Sequence, residues 1–178
     1  MEDNAIHPKK RVAPALLIID VQNFYLGSIP EHDRDVAIYF INLLISLFRE
    51  KGLPIFRIYH HNAENGPIPE TREFEYPESI AINPADTQII KTYSDSFNKT
   101  ELNSIIKAKG INTLFLCGLS AVGCVLATRN GARNNDLRAF IVKDSIMSHD
   151  TQFTRNVELM FDAVSYEVVK LIIESCAD

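Results

Sequence analysis

Short blocks in which almost every position is apolar recur along the chain, and between them apolar residues fall three and four apart. The blocks are Ala15-Leu-Leu-Ile-Ile19, Pro54-Ile-Phe-Arg-Ile-Tyr59, Asn112-Thr-Leu-Phe-Leu-Cys117 and Arg138-Ala-Phe-Ile-Val142, with weaker ones at Gln88-Ile-Ile90 and Ala163-Val-Ser165. Runs without polar alternation predict strands covered on both faces, as in parallel sheets. Val36, Tyr39, Phe40, Leu43, Leu44, Leu47 and Phe48 share one face of a helix predicted over 35–51, which stops at Gly52 before Pro54. A second helix is predicted over 98–109, with a polar cap, Glu101 at its third helical position and Gly110 at its end. Residues 121–134, 151–161 and 166–175 complete the helical segments.

Strands alternating with helices imply right-handed crossovers and a sheet with helices on both faces. The expected fold is a Rossmann-like three-layer α/β/α sandwich with roughly six parallel strands. The chain reads as one domain over 1–178, with 1–12 as an N-terminal extension. Residues 60–86 form the one long irregular stretch and carry Pro67, Pro69, Pro77 and Pro84. A loop of that length in a small domain is expected to be a lid or an interface arm.

Composition narrows the function. With 46% hydrophobic and 23% charged residues the chain is globular rather than disordered. No apolar run reaches the ~18 residues of a membrane span, and residues 1–11 lack the apolar stretch of an export signal. Three cysteines, Cys117, Cys124 and Cys176, make no disulfide framework. A net charge of −5 with scattered basic residues argues against a nucleic-acid surface. The expectation is a cytoplasmic protein with neither nucleic-acid nor membrane partners.

Ligands of open parallel sheets bind outside the carboxyl ends of the strands. The residues just after each predicted strand are Asp20 and Gln22-Asn23, His60-His61, Lys91, the segment from Leu119 to Cys124, and Asp144. Cys124 begins a helix after a buried strand, where free amides favour a thiolate, lower its pKa and can hold an oxyanion. Its alternative reading is a small core thiol. Asp20 is costly to bury alone, and Lys91 on the same rim is its candidate partner; the pair could equally be a structural salt bridge. His60 and His61 read as loop or surface residues, since adjacent side chains diverge and no metal-ligand spacing surrounds them. Cys117 reads as core packing and Cys176 as incidental.

The motifs Ala15-Leu-Leu-Ile-Ile-Asp-Val-Gln-Asn23, Lys91-Thr-Tyr-Ser-Asp-Ser-Phe97 and Leu116-Cys-Gly-Leu-Ser-Ala-Val-Gly-Cys-Val-Leu-Ala-Thr128, with Val142-Lys-Asp-Ser145 behind them, resemble the isochorismatase-like cysteine hydrolases. The resemblance runs over about 14–173 in matching order and spacing. It implies a catalytic triad of Asp20, Lys91 and Cys124, and a non-proline cis peptide at Leu119–Ser120. It also implies an oxyanion hole from the amides of Ser120, Ala121 and Cys124, and a homodimer or homotetramer. Three departures stand out. Ala121 and Val122 replace the Thr and Asp of many members. Tyr59-His60-His61-Asn62 replaces the Asp-x-His metal motif of nicotinamidases, so no metal or other cofactor is expected. The cysteine that true isochorismatases lack is kept.

The resulting expectation is hydrolysis of a small amide, ureide or related C–N bond through a covalent thioester. Phe24, Tyr93, Phe97 and Leu119 are the candidate walls of a pocket for a small planar molecule. The alternatives are a binding or scaffold protein of the same fold without significant turnover, and a thiol-dependent esterase.

Overall fold

The computed structural model describes residues 11–175; the extension, apart from residues 11 and 12, and Cys176 lie outside the described residues. Five parallel strands form one sheet: β1 (Pro14–Ile19), β2 (Ile55–His60), β3 (Thr87–Lys91), β4 (Thr113–Leu119) and β5 (Arg138–Met147), in the order β3-β2-β1-β4-β5. The expected sixth strand shrinks to a single parallel bridge, Val142 to Val164. The block at 163–165 is too short to pair further before the next helix begins at Tyr166.

Every residue of β1 and β4 is buried, which explains their unbroken apolar runs. One face carries Leu16, Ile18, Phe115 and Cys117 against α2 (Glu31–Glu50) and α6 (Tyr166–Ser175). The other carries Leu17, Ile19, Leu114 and Leu116 against α3 (Leu102–Ala108), α4 (Leu126–Asn134) and α5 (Thr151–Met160). This is the expected three-layer sandwich. A short α1 (Asn23–Leu26), which no apolar periodicity announces, follows β1 directly. Among the described residues no helix is long and apolar enough to cross a membrane.

Several boundaries move for local reasons. α2 starts at Glu31 because Pro30 fixes its entry, and Glu31 and Asp33 complement the positive end of the helix. α3 starts only at Leu102; Glu101 is its cap rather than its third residue and makes no side-chain capping bond, while Thr100 Oγ1 accepts from the Leu102 amide at 3.3 Å. β5 runs on past Val142 through a bulge with Asp144 in the left-handed region at φ 61°. Asp144 therefore sits within the strand, its amide on Glu158 Oε1 at 2.7 Å, and not at the carboxyl rim as expected.

The long irregular stretch is tied down on its own chain. Tyr59 stacks on Phe74 and Tyr76, and the buried Tyr76 hydroxyl lies 2.7 Å from the carbonyls of both Ile18 and Ile58. The amides of Asn23 and Phe24 donate to the carbonyls of Glu75 and Glu73. The loop thus fixes α1 over the end of β1.

Candidate active site

Three strand ends converge at the carboxyl rim. Asp20 follows β1 with φ 53°, and its amide donates to Ile58 O at 3.0 Å, which turns the side chain over the sheet. Lys91 closes β3, paired in register with His60 of β2, so its long side chain crosses the end of β2 to reach Asp20. Cys124 lies beyond β4, in a single π-helical turn (Ala121–Val125) that leads into α4. Between strand and turn lies the cis peptide Leu119–Ser120, where the resemblance implied one.

Gly118 permits this ending. Its φ is +106°, and a Cβ there would lie 2.8 Å from Ile19 N and 2.9 Å from Ile19 C, with the Ile19 carbonyl oxygen closer still. Beyond it, the amides of Ser120 and Ala121 donate to no acceptor among the described residues. These are the orphan donors of a helical N-terminus and are suited to an anion.

An ammonium has three N–H bonds, and Lys91 Nζ has three acceptors: Asp20 Oδ2 at 2.7 Å, Tyr93 O at 3.1 Å and Cys124 Sγ at 3.4 Å. Asp20 and Lys91 are both buried. Asp20 Oδ1 is buried as well and has no hydrogen-bond partner among the described residues. It is the acceptor left for a proton from sulfur or from a bound molecule.

Burial raises the Asp20 carboxyl above its ordinary range despite Lys91. Burial, and then the Asp20 charge, push the Cys124 thiol up to about 12, with Lys91 opposing. This reverses the lowered thiol pKa expected from the helix position. One ammonium and one negative charge leave the buried cluster neutral, and removing the last proton would leave an uncompensated anion. Asp20 and Cys124 therefore share one proton, which burial of each group holds within the pair and the Asp20 charge draws toward sulfur. Accordingly, iodoacetamide should label Cys124 more slowly than free cysteine at pH 7, with a rate that climbs about tenfold per pH unit well beyond pH 9. Asp20→Asn should speed the labelling and Lys91→Met slow it. A labelling rate that levels off below pH 7, read by mass spectrometry of the Cys124 peptide, would contradict this proton count.

His60 is nearer the chemistry than its loop reading allowed. Its Nδ1 lies 4.0 Å from Asp20 Oδ2, and burial and Lys91 lower its pKa, so it is neutral. Gln22 fixes it: the side-chain amide accepts from His60 N at 2.8 Å and donates to His60 O at 3.1 Å. Tyr25 faces His60 with ring centroids 6.3 Å apart, and burial with the charges of Asp20 and Cys124 raises its phenol to about 12. His60 closes β2, and its place at a predicted strand end was the available signal; Tyr25 lies in α1 and stayed hidden because nothing predicted that helix. Of the pocket candidates, Phe24 and Tyr93 are 44% and 41% exposed, while Phe97 and Leu119 pack into the two cores. Val122 is also exposed.

Donor atoms of Asp20, His60 and Cys124 lie within 4.8 Å of one another, a set that could hold a metal by distance alone. Lys91 Nζ already sits among them as a cation against two of the three donors. A metal ion there would meet direct repulsion, so the cluster does not fit one.

Fold and site together define a hydrolase of the three-layer α/β type. The chain belongs to the isochorismatase family, whose domain model matches residues 14–166. An isochorismatase family protein of Bacillus subtilis strain 168 is 31% identical over 136 residues, which cover 74% of this chain and 76% of that one. Two solved structures show the same fold. One is a cysteine hydrolase from Pseudomonas syringae pv. phaseolicola, with a TM-score of 0.82 and 16% identity, covering 96% of this chain and 100% of that one. The other is the N-carbamoylsarcosine amidase of Thermoplasma acidophilum, with a TM-score of 0.74 and 24% identity, covering 86% of this chain and 95% of that one.

Proposed function

We propose that the protein hydrolyses a small amide, ureide or related C–N bond through a thioester on Cys124. The observation that carries this reading is Lys91 Nζ bonded to both Asp20 Oδ2 and Cys124 Sγ, with Asp20 Oδ1 left open. The likeness to a cysteine hydrolase and to N-carbamoylsarcosine amidase supports the same chemistry.

Asp20 takes the thiol proton as sulfur adds to the carbonyl carbon. The C=O pair moves onto oxygen, held by the amides of the turn that starts at Ser120, with Cys124's own amide as the third member of the oxyanion hole. The oxyanion collapses, the C–N bond breaks, and Asp20 passes its proton to the departing nitrogen. A water then adds to the thioester, giving its proton to Asp20, and the proton returns to sulfur as the acid leaves. Lys91 offsets the negative charge wherever it stands on Asp20 or Cys124. The exposed rings of Phe24 and Tyr93, with Tyr25 against His60, are the aromatic surfaces beside the triad that suit a planar substrate.

The test is a screen of small primary amides, ureides and N-carbamoyl compounds against the native chain, with Cys124→Ala as control and acid-quench mass spectrometry for an acyl group on Cys124. Turnover without any adduct on Cys124, and undiminished in the Ala variant, would remove the covalent route.

A further inference from the structure

Four residues beyond Cys124, in α4 just after the π turn, Thr128 is fully buried and has no place in the chemistry above. Its Oγ1 lies 2.8 Å from Ser96 Oγ and accepts from the Ser96 amide at 3.1 Å. Ser96 belongs to the loop after β3, whose Tyr93 carbonyl is one of the three acceptors of Lys91 Nζ. The links close a ring: Cys124, one turn of helix to Thr128, Ser96, the loop back to the Tyr93 carbonyl, Lys91 Nζ, and Cys124 Sγ again. Both hydroxyls are buried, so neither trades its partner for water without cost.

A second contact holds the same two segments together. Asp95 Oδ1 accepts from the Phe97 amide at 2.9 Å, and its carboxylate lies directly against Gly131 of α4. A Cβ at 131 would lie 2.5 Å from Asp95 Cγ, with both carboxylate oxygens nearer. The glycine gives the loop its seat on the helix. Thr100 Oγ1, donating to Ser96 O at 2.6 Å, ties the far end of the loop.

We infer that Thr128 and Ser96 are positioning residues: their hydroxyl pair seats the β3 loop on α4 and thereby sets the Lys91-to-Cys124 contact. The inference rests on the hydrolytic reading for its effect on turnover, but not for its effect on the thiol. Lys91 assists loss of the sulfur proton only where it touches sulfur, so a loosened loop slows Cys124 alkylation even without substrate.

The decisive comparison is Thr128→Val, which keeps the shape and removes the hydroxyl, against Thr128→Ser, which keeps the hydroxyl. For Thr128→Val, kcat on the amide found in the screen should fall about 10- to 100-fold with KM within about threefold, since misplacement of about 1 Å has such effects. Iodoacetamide labelling of Cys124 at pH 9 should slow, and its pH profile should move to higher pH. Thr128→Ser should restore both. Ser96→Ala should follow Thr128→Val and serves in its place if the Val variant does not fold. Lower thermal stability with kcat and the labelling profile unchanged would make the pair merely structural and overturn the inference. If the native chain hydrolyses nothing, the labelling series still decides the ring; if it hydrolyses an amide and Thr128→Val does so equally well, only the ring falls.

Discussion

Cys124→Ala should lose turnover by about 10⁴-fold or more, as removal of a covalent nucleophile does elsewhere. Neither Lys91 nor Asp20 can replace the sulfur. All three N–H bonds of Lys91 are engaged, and Asp20 is buried with one oxygen held by that ammonium. The fold should survive, because the thiol is only partly buried and its loss removes one Lys91 contact, worth about 1 kcal/mol. Cys124→Ser should be nearly as inactive, since an alkoxide is harder still to form beside a carboxylate that already disfavours a thiolate. Turnover of the screened amide beside a thermal melt measures both effects. Activity within tenfold of the native chain, with an unchanged melt, would show that sulfur is not the nucleophile.

Gly118→Ala should have the largest effect on stability. The residue lies in the central strand pair, in register with Ile19, at φ +106°. An added Cβ meets the Ile19 backbone, which cannot yield as a side chain would. Left-handed strain and overpacking of about 1–3 kcal/mol each give a loss of about 2–6 kcal/mol. That is a large share of the 5–15 kcal/mol that holds a typical domain. Gly123→Ala, in the π turn, is the control: its Cβ would find Ser120 Cβ no nearer than 3.6 Å, an ordinary contact. Urea denaturation should therefore separate the two variants widely. Equal midpoints for Gly118→Ala and the native chain would refute the close approach of β4 to β1.

The carboxyl rim was legible because β1 and β4 are unbroken apolar runs whose ends are marked by polar residues. Asp20 after β1 and Lys91 after the weaker block at 88–90 could be set on one rim from strand ends, with a structural salt bridge left open; their catalytic pairing was what the resemblance implied. The thiol's protonation could not be read locally. A helix N-terminus suggests a thiolate, but the burial that reverses it depends on how closely the loops cover Cys124. His60 was visible as a residue at a strand end, yet its nearness to Asp20 depends on the Gln22 clamp and on the fixed end of β2. Asp144 misled because a bulge carries β5 three residues past it. Thr128 stood only as the last residue of a motif within a predicted helix, since nothing local brings Ser96 against it.

Local pattern thus determined the parallel sheet and its helical layers, because periodicity acts within a few positions; strand-end polarity made Asp20, Lys91 and Cys124 candidates, and their joint role was what the resemblance implied. The tertiary structure decided the upward shift of the thiol, the placing of Tyr25 and His60, the seating of the β3 loop and the reduction of the sixth strand to one bridge. Each of these depends on contacts between residues far apart in the chain, where burial and the proximity of charge are set by packing rather than by neighbours in sequence.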